Sequence, residues 1–507
     1  MSALFLRPLI CSNSPVRQVK GRGSRPCLDV TFGDHTVLEE PASTSVVSAA
    51  GYAQRFRCIG PACEDTCCQG WKIPIDETAL DRYQGLPDSP LKSQIVAAIA
   101  PAPRPSFSPA SSPGSASDPD TPATIGAAGP QPILRLKDDG HCALLTSERL
   151  CSIHEQLGEE FLPAVCASYP RIQRQLGPVT ETALALSCPE AARVVLLGPS
   201  LLSPWLLSSS LFDSAQSPQP VSSDAGSNAP AYYAEIRSTI LALIGARNLQ
   251  MWQRLFLVCL LCHRLDSIEA GRLRADIPDY LATFRTGANS GALVPQMESM
   301  PFDPQAQLDA VLRLAGLMLH RSRVTPRFAE CVAAFTSGIG NGPSANLATL
   351  TAAYTTAYRQ WFAPFERRHP HIFENYLINL VALQRFPFGR PSDPPSPGSG
   401  KAREFTRLIA QLALTRGLLI GVAGHLRESF SPGHVVHTVQ AMSRHFDHHP
   451  EFLLRAQGLL AESRLDGIAG LSILLRNTLP GQPQPASDLI PAAIAAQQVG
   501  KSSSAPK

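Results

Sequence analysis

From about residue 230 onward, apolar residues recur at the three-and-four spacing of a helix with one buried face. The pattern runs through YYAEIRSTILALIGAR (232–247), LQMWQRLFLVCLLCHRLDSIEA (249–270) and FDPQAQLDAVLRLAGLMLHR (302–321). It continues in LATLTAAYTTAYRQWFAPFERR (347–368), FENYLINLVALQRF (373–386), AREFTRLIAQLALTRGLLIGVAGHL (402–426) and HTVQAMSRHFDHHPEFLLRAQGLLAE (437–462). Little in this half alternates as a strand would. Residues 230–479 therefore read as one all-helical region with no repeat period. Upstream, the pattern tightens into FRCIGPACEDTCCQGWKIPIDETALDRY, where Asp76 is placed to cap a short helix over ETALDRY.

Stretches without any period separate these blocks. Residues 1–46 read as a disordered extension. In residues 101–132, 24 of 32 positions are Pro, Ser, Gly or Ala; such a segment cannot bury enough apolar surface to offset its ordering entropy. It reads as a disordered insertion inside a cysteine-rich domain spanning 47–198. Residues 199–229 read as a linker, 389–401 as a loop and 480–507 as a disordered tail. The expected fold is mainly α: a Cys-rich metal- or cluster-binding N-terminal domain, then the helical region, with Pro/Ser-rich insertions.

Composition narrows the class. The 507 residues carry a net charge of +3 and only 17% charged side chains, which argues against a nucleic-acid backbone as partner. No run of 18 apolar residues is present, so no membrane partner is expected. The first ten residues lack the basic start and cleavage site of a secretory signal. A reducing, cytoplasmic setting is the expectation, and there clustered cysteines read first as a metal site.

Of 13 cysteines, eight fall between Cys58 and Cys188. Their spacing is Cys58-x4-Cys63-x3-Cys67-Cys68, then Cys142-x8-Cys151-x14-Cys166-x21-Cys188. Thiolates are soft, charged donors suited to iron and zinc. The twin C-x2-C pairs of a zinc ribbon are missing, and adjacent cysteines diverge, so the spacing favours an iron–sulfur cluster over zinc. Eight sulfurs exceed the four that one cluster takes. Cys259 and Cys262 lie on an apolar helix and read as core, as does Cys331; Cys11 and Cys27 have no assigned role. His434, His437, His445, His448 and His449 form helix-spaced pairs that read as a solvated polar face, with a second metal site as the alternative.

FRCIGPACEDTCCQGWKIPID (56–76), LCSIHEQLGEEFLPAVCASYPR (150–171) and LALSCPEAARVVLL (184–197) resemble the flagellin lysine-N-methylase family and, more broadly, zinc- or iron-chelating Cys-cluster proteins. FENYLINLVALQRFPF (373–388) and the HFDHHPEF neighbourhood resemble the same methylases. The resemblance implies methyl transfer to lysine ε-amines of flagellin, a [4Fe-4S] cluster, and S-adenosylmethionine as donor. It places the metal ligands among Cys58, Cys63, Cys67, Cys68, Cys142, Cys151, Cys166 and Cys188. Two departures stand out: Cys142-Ala143-Leu144-Leu145 replaces the C-P-F-L frequent in the family, and the 101–132 insertion is long. The competing reading is a non-catalytic cluster or zinc carrier that binds a protein partner.

Lysine methylation requires a deprotonated amine, whose ordinary pKa is about 10.4. Candidate groups beside the cysteines are Glu64, Asp65, Tyr169 and Arg171, with Trp71 as a cover. No glycine-rich strand-to-helix loop of the dinucleotide type occurs; the GVAG of 421–424 sits inside an apolar helix. A Rossmann-type methyltransferase is disfavoured, and the donor is expected to bind at the cluster iron.

Overall fold

The computed structural model describes residues 50–71, 73–101, 131–176, 179–201, 232–273, 275–319, 324–340, 345–389, 400–447 and 450–477. The N-terminal extension and the tail after 480 lie outside these residues, as do Cys11, Cys27, His448, His449 and nearly all of the insertion, linker and loop segments.

The chain is mainly helical. Its first half carries α1 (Ala50–Ala53), β1 (Ile73–Pro74), α2 (Glu77–Gln84), α3 (Pro90–Ala98), β2 (Ile99–Ala100) and β3 (Ile133–Leu134). There follow α4 (Ser152–Leu157), α5 (Ala164–Ser168), the hairpin β4 (Arg171–Leu176) and β5 (Val179–Leu184), and α6 (Pro189–Leu196). The three short strands pair antiparallel in the order β1-β3-β2. Asp76 caps α2 by accepting from the Ala79 amide, as its position predicts, and accepts as well from the Ala164 amide 2.7 Å away at the start of α5.

The second half is built from α7 (Tyr233–Ile244), α8 (Met251–Glu269), α9 (Ile277–Asn289), α10 (Val294–Glu298), α11 (Pro304–Leu319) and α12 (Pro326–Ile339). It continues through α13 (Leu347–Ala357), α14 (Ala363–Arg368), α15 (His371–Leu383), α16 (Lys401–Leu426), α17 (Pro432–Asp447), α18 (Pro450–Glu462) and α19 (Ile468–Leu475). Two predicted helices are corrected. The segment 437–462 is two helices, because Pro450 has no N–H to give a helix interior and starts α18 instead. The segment 347–368 passes through a π-helical turn, Tyr358–Phe362, just ahead of Pro364.

Helix α16 runs through the middle and touches α8, α11, α12, α13, α17, α18 and α19. By length and composition it could cross a membrane, but 89% of its apolar window is buried inside the protein. Its GVAG stretch has a packing role. A Cβ on Gly424 would stand 2.8 Å from the Gly338 carbonyl oxygen of α12 and 2.7 Å from the Ala357 Cβ, while one on Gly421 would meet the Phe335 ring. The glycines let two helix backbones touch.

The apolar residues form two cores. A small one gathers Ile73, Ile75, Tyr83, Ile95, Leu134, Cys142, Leu144 and Ile153. The large one takes in α7–α19 together with Tyr52, Phe56, Leu184, Leu186 and much of α6. The FENYLINL motif of α15 joins these pieces through fully buried polar side chains. Asn379 accepts from Tyr52 Oη (2.5 Å) and the Leu184 amide, and donates to the Leu184 carbonyl. Asn375 accepts from the Leu201 amide and donates to the Val195 carbonyl. Glu374 accepts from Arg247 and from Ser200 Oγ.

Candidate functional site

The eight cysteines between Cys58 and Cys188 are all free thiols. Chain geometry brings the two sequence groups together. The Cys68 carbonyl accepts from the Cys142 amide at 2.7 Å, Gln69 bridges to His141, and Leu145 bridges to Cys151. Cys151 and Cys188 occupy the N-cap positions of α4 and α6, where backbone N–H groups favour a negative sulfur.

Cys67, Cys68, Cys142, Cys151 and Cys166 form one electrostatic neighbourhood. Burial pushes the Cys142, Cys151 and Cys166 thiols up, and charge on neighbouring cysteine sulfurs adds to the effect. Cys67 goes the other way, down to about 7, through its hydrogen bond with Cys68 and the nearby Arg444 guanidinium; its partner Cys68 is pushed up. Cys67 as a whole residue is exposed, yet its sulfur is crowded by these groups. Cys63 and Cys188 form a second neighbourhood with Cys58: burial raises Cys63 and takes Cys188 to about 12. Among the described residues, no three His, Cys, Asp or Glu side chains stand at the spacing a single ion requires.

Glu64 and Asp65 sit inside the Cys63–Cys67 loop and are bound by arginines from elsewhere. Glu64 pairs with Arg193 of α6. Asp65 accepts from Arg444 at 2.5 Å and from Gln440 at 2.7 Å, both on α17. Burial alone would raise both carboxyls; Arg193 and Arg444 respectively outweigh it and hold them below the usual carboxylate range. Groups held in this way are poor proton acceptors. Arg444 also donates to the Gln69 carbonyl. Gln440 is fully buried and spends its whole amide here: it donates to Asp65 and to the Ser187 carbonyl, and accepts from Arg327 Nε at 2.8 Å. The loop bearing Cys63 and Cys67 and the turn before Cys188 are thus tied to one helix of the second half.

Tyr169 and Arg171 have packing partners. Tyr169 Oη donates to Ser187 Oγ, and its ring lies 6.4 Å from Trp71. Arg171 donates to the Phe56 carbonyl and stacks over the Phe56 ring. Trp71 donates to the Cys67 carbonyl at 2.6 Å. Cys259, Cys262 and Cys331 are buried core residues. Of the three described histidines, His445 departs from the expected solvated face, whereas His434 and His437 are half-exposed. His445 is buried edge-on against Phe328, His437 lies 3.5 Å from Glu330, and His434 bonds Ser431. Sequence reading missed Arg193, Arg327, Gln440 and Arg444; Arg193 stands within the LALSCPEAARVVLL segment but nothing in that segment signals its partner Glu64.

Beside this assembly is an open cavity of about 320 Å³, lined by Glu64, Arg193, Leu197, Arg327, Gly433, Val436 and His437.

Residues 237–474 match the family model of the FliB lysine N-methylase C-terminal domain. The lysine-N-methylase of Salmonella typhimurium is 27% identical over 169 residues, 31% of this chain and 34% of that protein. The flagellar biosynthetic protein FliU of Salmonella muenchen is 26% identical over 169 residues, 31% of this chain and 80% of that protein. The lysine-N-methylase of Salmonella choleraesuis is 26% identical over 168 residues, again 34% of its length. The match thus spans about a third of either lysine-N-methylase. No solved structure matches.

Proposed function

Through its FliB-type C-terminal domain the chain belongs to the lysine-N-methylase family, and on that premise we propose that it methylates lysine ε-amines of flagellin in the cytoplasm. The donor in this reading is S-adenosylmethionine, and an iron–sulfur cluster, [4Fe-4S], is held by cysteines. The observation that carries it is the convergence of two features: the methylase domain contributes α17, and α17 holds the cysteine loop by Arg444 and Gln440.

The residues fit such a cluster by their chemistry. Cys67, Cys68, Cys142, Cys151 and Cys166 are soft donors whose thiolate forms burial and one another disfavour, so a cationic group among them would favour their deprotonation. Four of those five would hold the cluster, with Cys58, Cys63 and Cys188 at its edge. When bound, the cluster would supply electrophilic iron.

The chain's own residues then position and desolvate. In methyl transfer the N–C bond forms as the sulfonium S–C bond breaks, and the amine must first lose a proton. Glu64 and Asp65 are committed to ion pairs, so they position the loop rather than take that proton. An amine moved from water to this junction loses its proton more readily, because burial disfavours the ammonium form.

The test is anaerobic purification followed by incubation with S-adenosylmethionine and flagellin. Mass gains of whole methyl units on flagellin lysines are expected. None, with iron content intact, would reject the enzyme reading in favour of a non-catalytic cluster carrier. Serine at Cys67 or Cys68 is expected to lower iron content, and serine at the core position Cys259 to leave it unchanged.

A further inference from the structure

The cavity between the cysteine loop, α6, α12 and α17 has a built charge pattern that the methyl-transfer reading leaves unused. Arg193 is committed, with one arm on Glu64 and the other on Glu190. Arg327 is different. Its Nε donates to Gln440, and among the described residues neither terminal amino group has a hydrogen-bond partner. Two guanidinium groups face one carboxylate in the lining. His437 adds no positive charge, since burial and the nearby Arg327 lower its pKa; Glu330, on α12, is the acidic group that faces it. Glu64 and Glu190 answer Arg193 and Glu330 faces His437, so among the described residues the free positive group of the wall is the Arg327 fork, a planar pair of donors of the kind that takes a carboxylate.

Size and openness narrow the ligand. A volume of about 320 Å³ is at the low end for whole small-molecule sites, roughly 300–1,000 Å³. It has room for an amino-acid group but leaves a larger molecule protruding. At Gly433 an added Cβ would meet only Ser431 Oγ, at 3.7 Å, so that wall is clear.

We propose that this cavity binds a carboxylate, with Arg327 as its anchor. Resting on the methylase reading, the carboxylate has two sources: the amino-acid half of the methyl donor, or an acidic side chain of the protein substrate. Arg327 also touches Gln440, so an occupant on Arg327 bears on the residue that holds Asp65 and the Ser187 turn.

Binding is read without turnover, which separates this test from that of the methylase reading. The full chain is titrated calorimetrically with S-adenosylhomocysteine, with its decarboxylated analogue, and with an acidic peptide from flagellin. Arg327→Met is expected to weaken the carboxylate-bearing partner roughly 10- to 100-fold, and Arg327→Lys to restore part of the loss. Loss of affinity for S-adenosylhomocysteine but not its decarboxylated analogue assigns the donor; loss only for the peptide assigns the protein substrate. In case the variants fold poorly, wild-type protein is treated with phenylglyoxal and mapped by mass spectrometry. The carboxylate-bearing partner is expected to protect Arg327. Unchanged affinity in Arg327→Met with a normal melting temperature, or no protection by either partner, overturns the proposal. So does binding that depends on the iron and not on Arg327.

Discussion

Replacing Arg444 by Met should loosen the cysteine loop while leaving the helical body standing. The Arg444 and Asp65 side chains are 11% and 13% exposed, so their pair is largely out of water. Breaking one partner of a buried pair costs about 3–5 kcal/mol. Asp65 keeps the Gln440 amide and the Thr66 amide as donors, which places the loss near about 3 kcal/mol. No residue from Arg57 to Gly70 is buried, so the loop has no apolar anchor to absorb that loss. The cost falls on local opening, raising the open population by roughly two orders of magnitude. Hydrogen exchange followed by mass spectrometry on peptides covering 57–71 should show this, with α16 unchanged. Less than a threefold change in the loop, or an equal change in α16, would refute the reasoning.

Four further outcomes follow from other parts of the fold. Glu181 accepts from Tyr233 and Arg237, both buried, so Glu181→Ala strands a guanidinium and should lower the melting temperature by about 3–7 °C in a thermal scan. Gly421→Ala drives a Cβ into Phe335 and should cost about 1–3 kcal/mol in urea unfolding. Gly458→Ala, on the exposed side of α18 with nothing within 4 Å, should instead stabilise by up to about 1 kcal/mol; a loss there would contradict the packing. Burial lowers the His263 pKa, so its contribution to stability is complete above about pH 6.5 and fades as pH falls through the folded value. The melting temperature of His263→Gln should therefore gain on wild type below pH 6, and a constant difference from pH 5 to 7.5 would exclude this.

The helices were readable because their signal is local. Apolar spacing announced α8 and α16, and Asp76 announced the cap of α2. The buried state of Cys259 and Cys262 followed from their place on an apolar helix. The β4–β5 hairpin was not anticipated: its strands carry Arg171, Arg174 and Glu181, and Glu181 is buried only because Arg237 from α7 meets it. The second use of Asp76, on the Ala164 amide, needs α5 to be brought alongside. Glu64 and Asp65 drew notice as carboxylates between cysteines. Their arginine partners stand 129 and 379 positions away, where no spacing rule reaches.

That last separation has a meaning for how the protein is made. Asp65 leaves the ribosome 379 residues before Arg444. At about 5–20 residues per second, the loop with its clustered thiols waits about 20 to 75 seconds for its partner to be synthesised. Through that interval Cys63, Cys67 and Cys68 are translated but their loop is not yet tied to α17. A metal-delivery machinery would find the thiols most accessible during synthesis, and an oxidant would too. Birth order gives these thiols an early window before Arg444 and Gln440 tie their loop to α17.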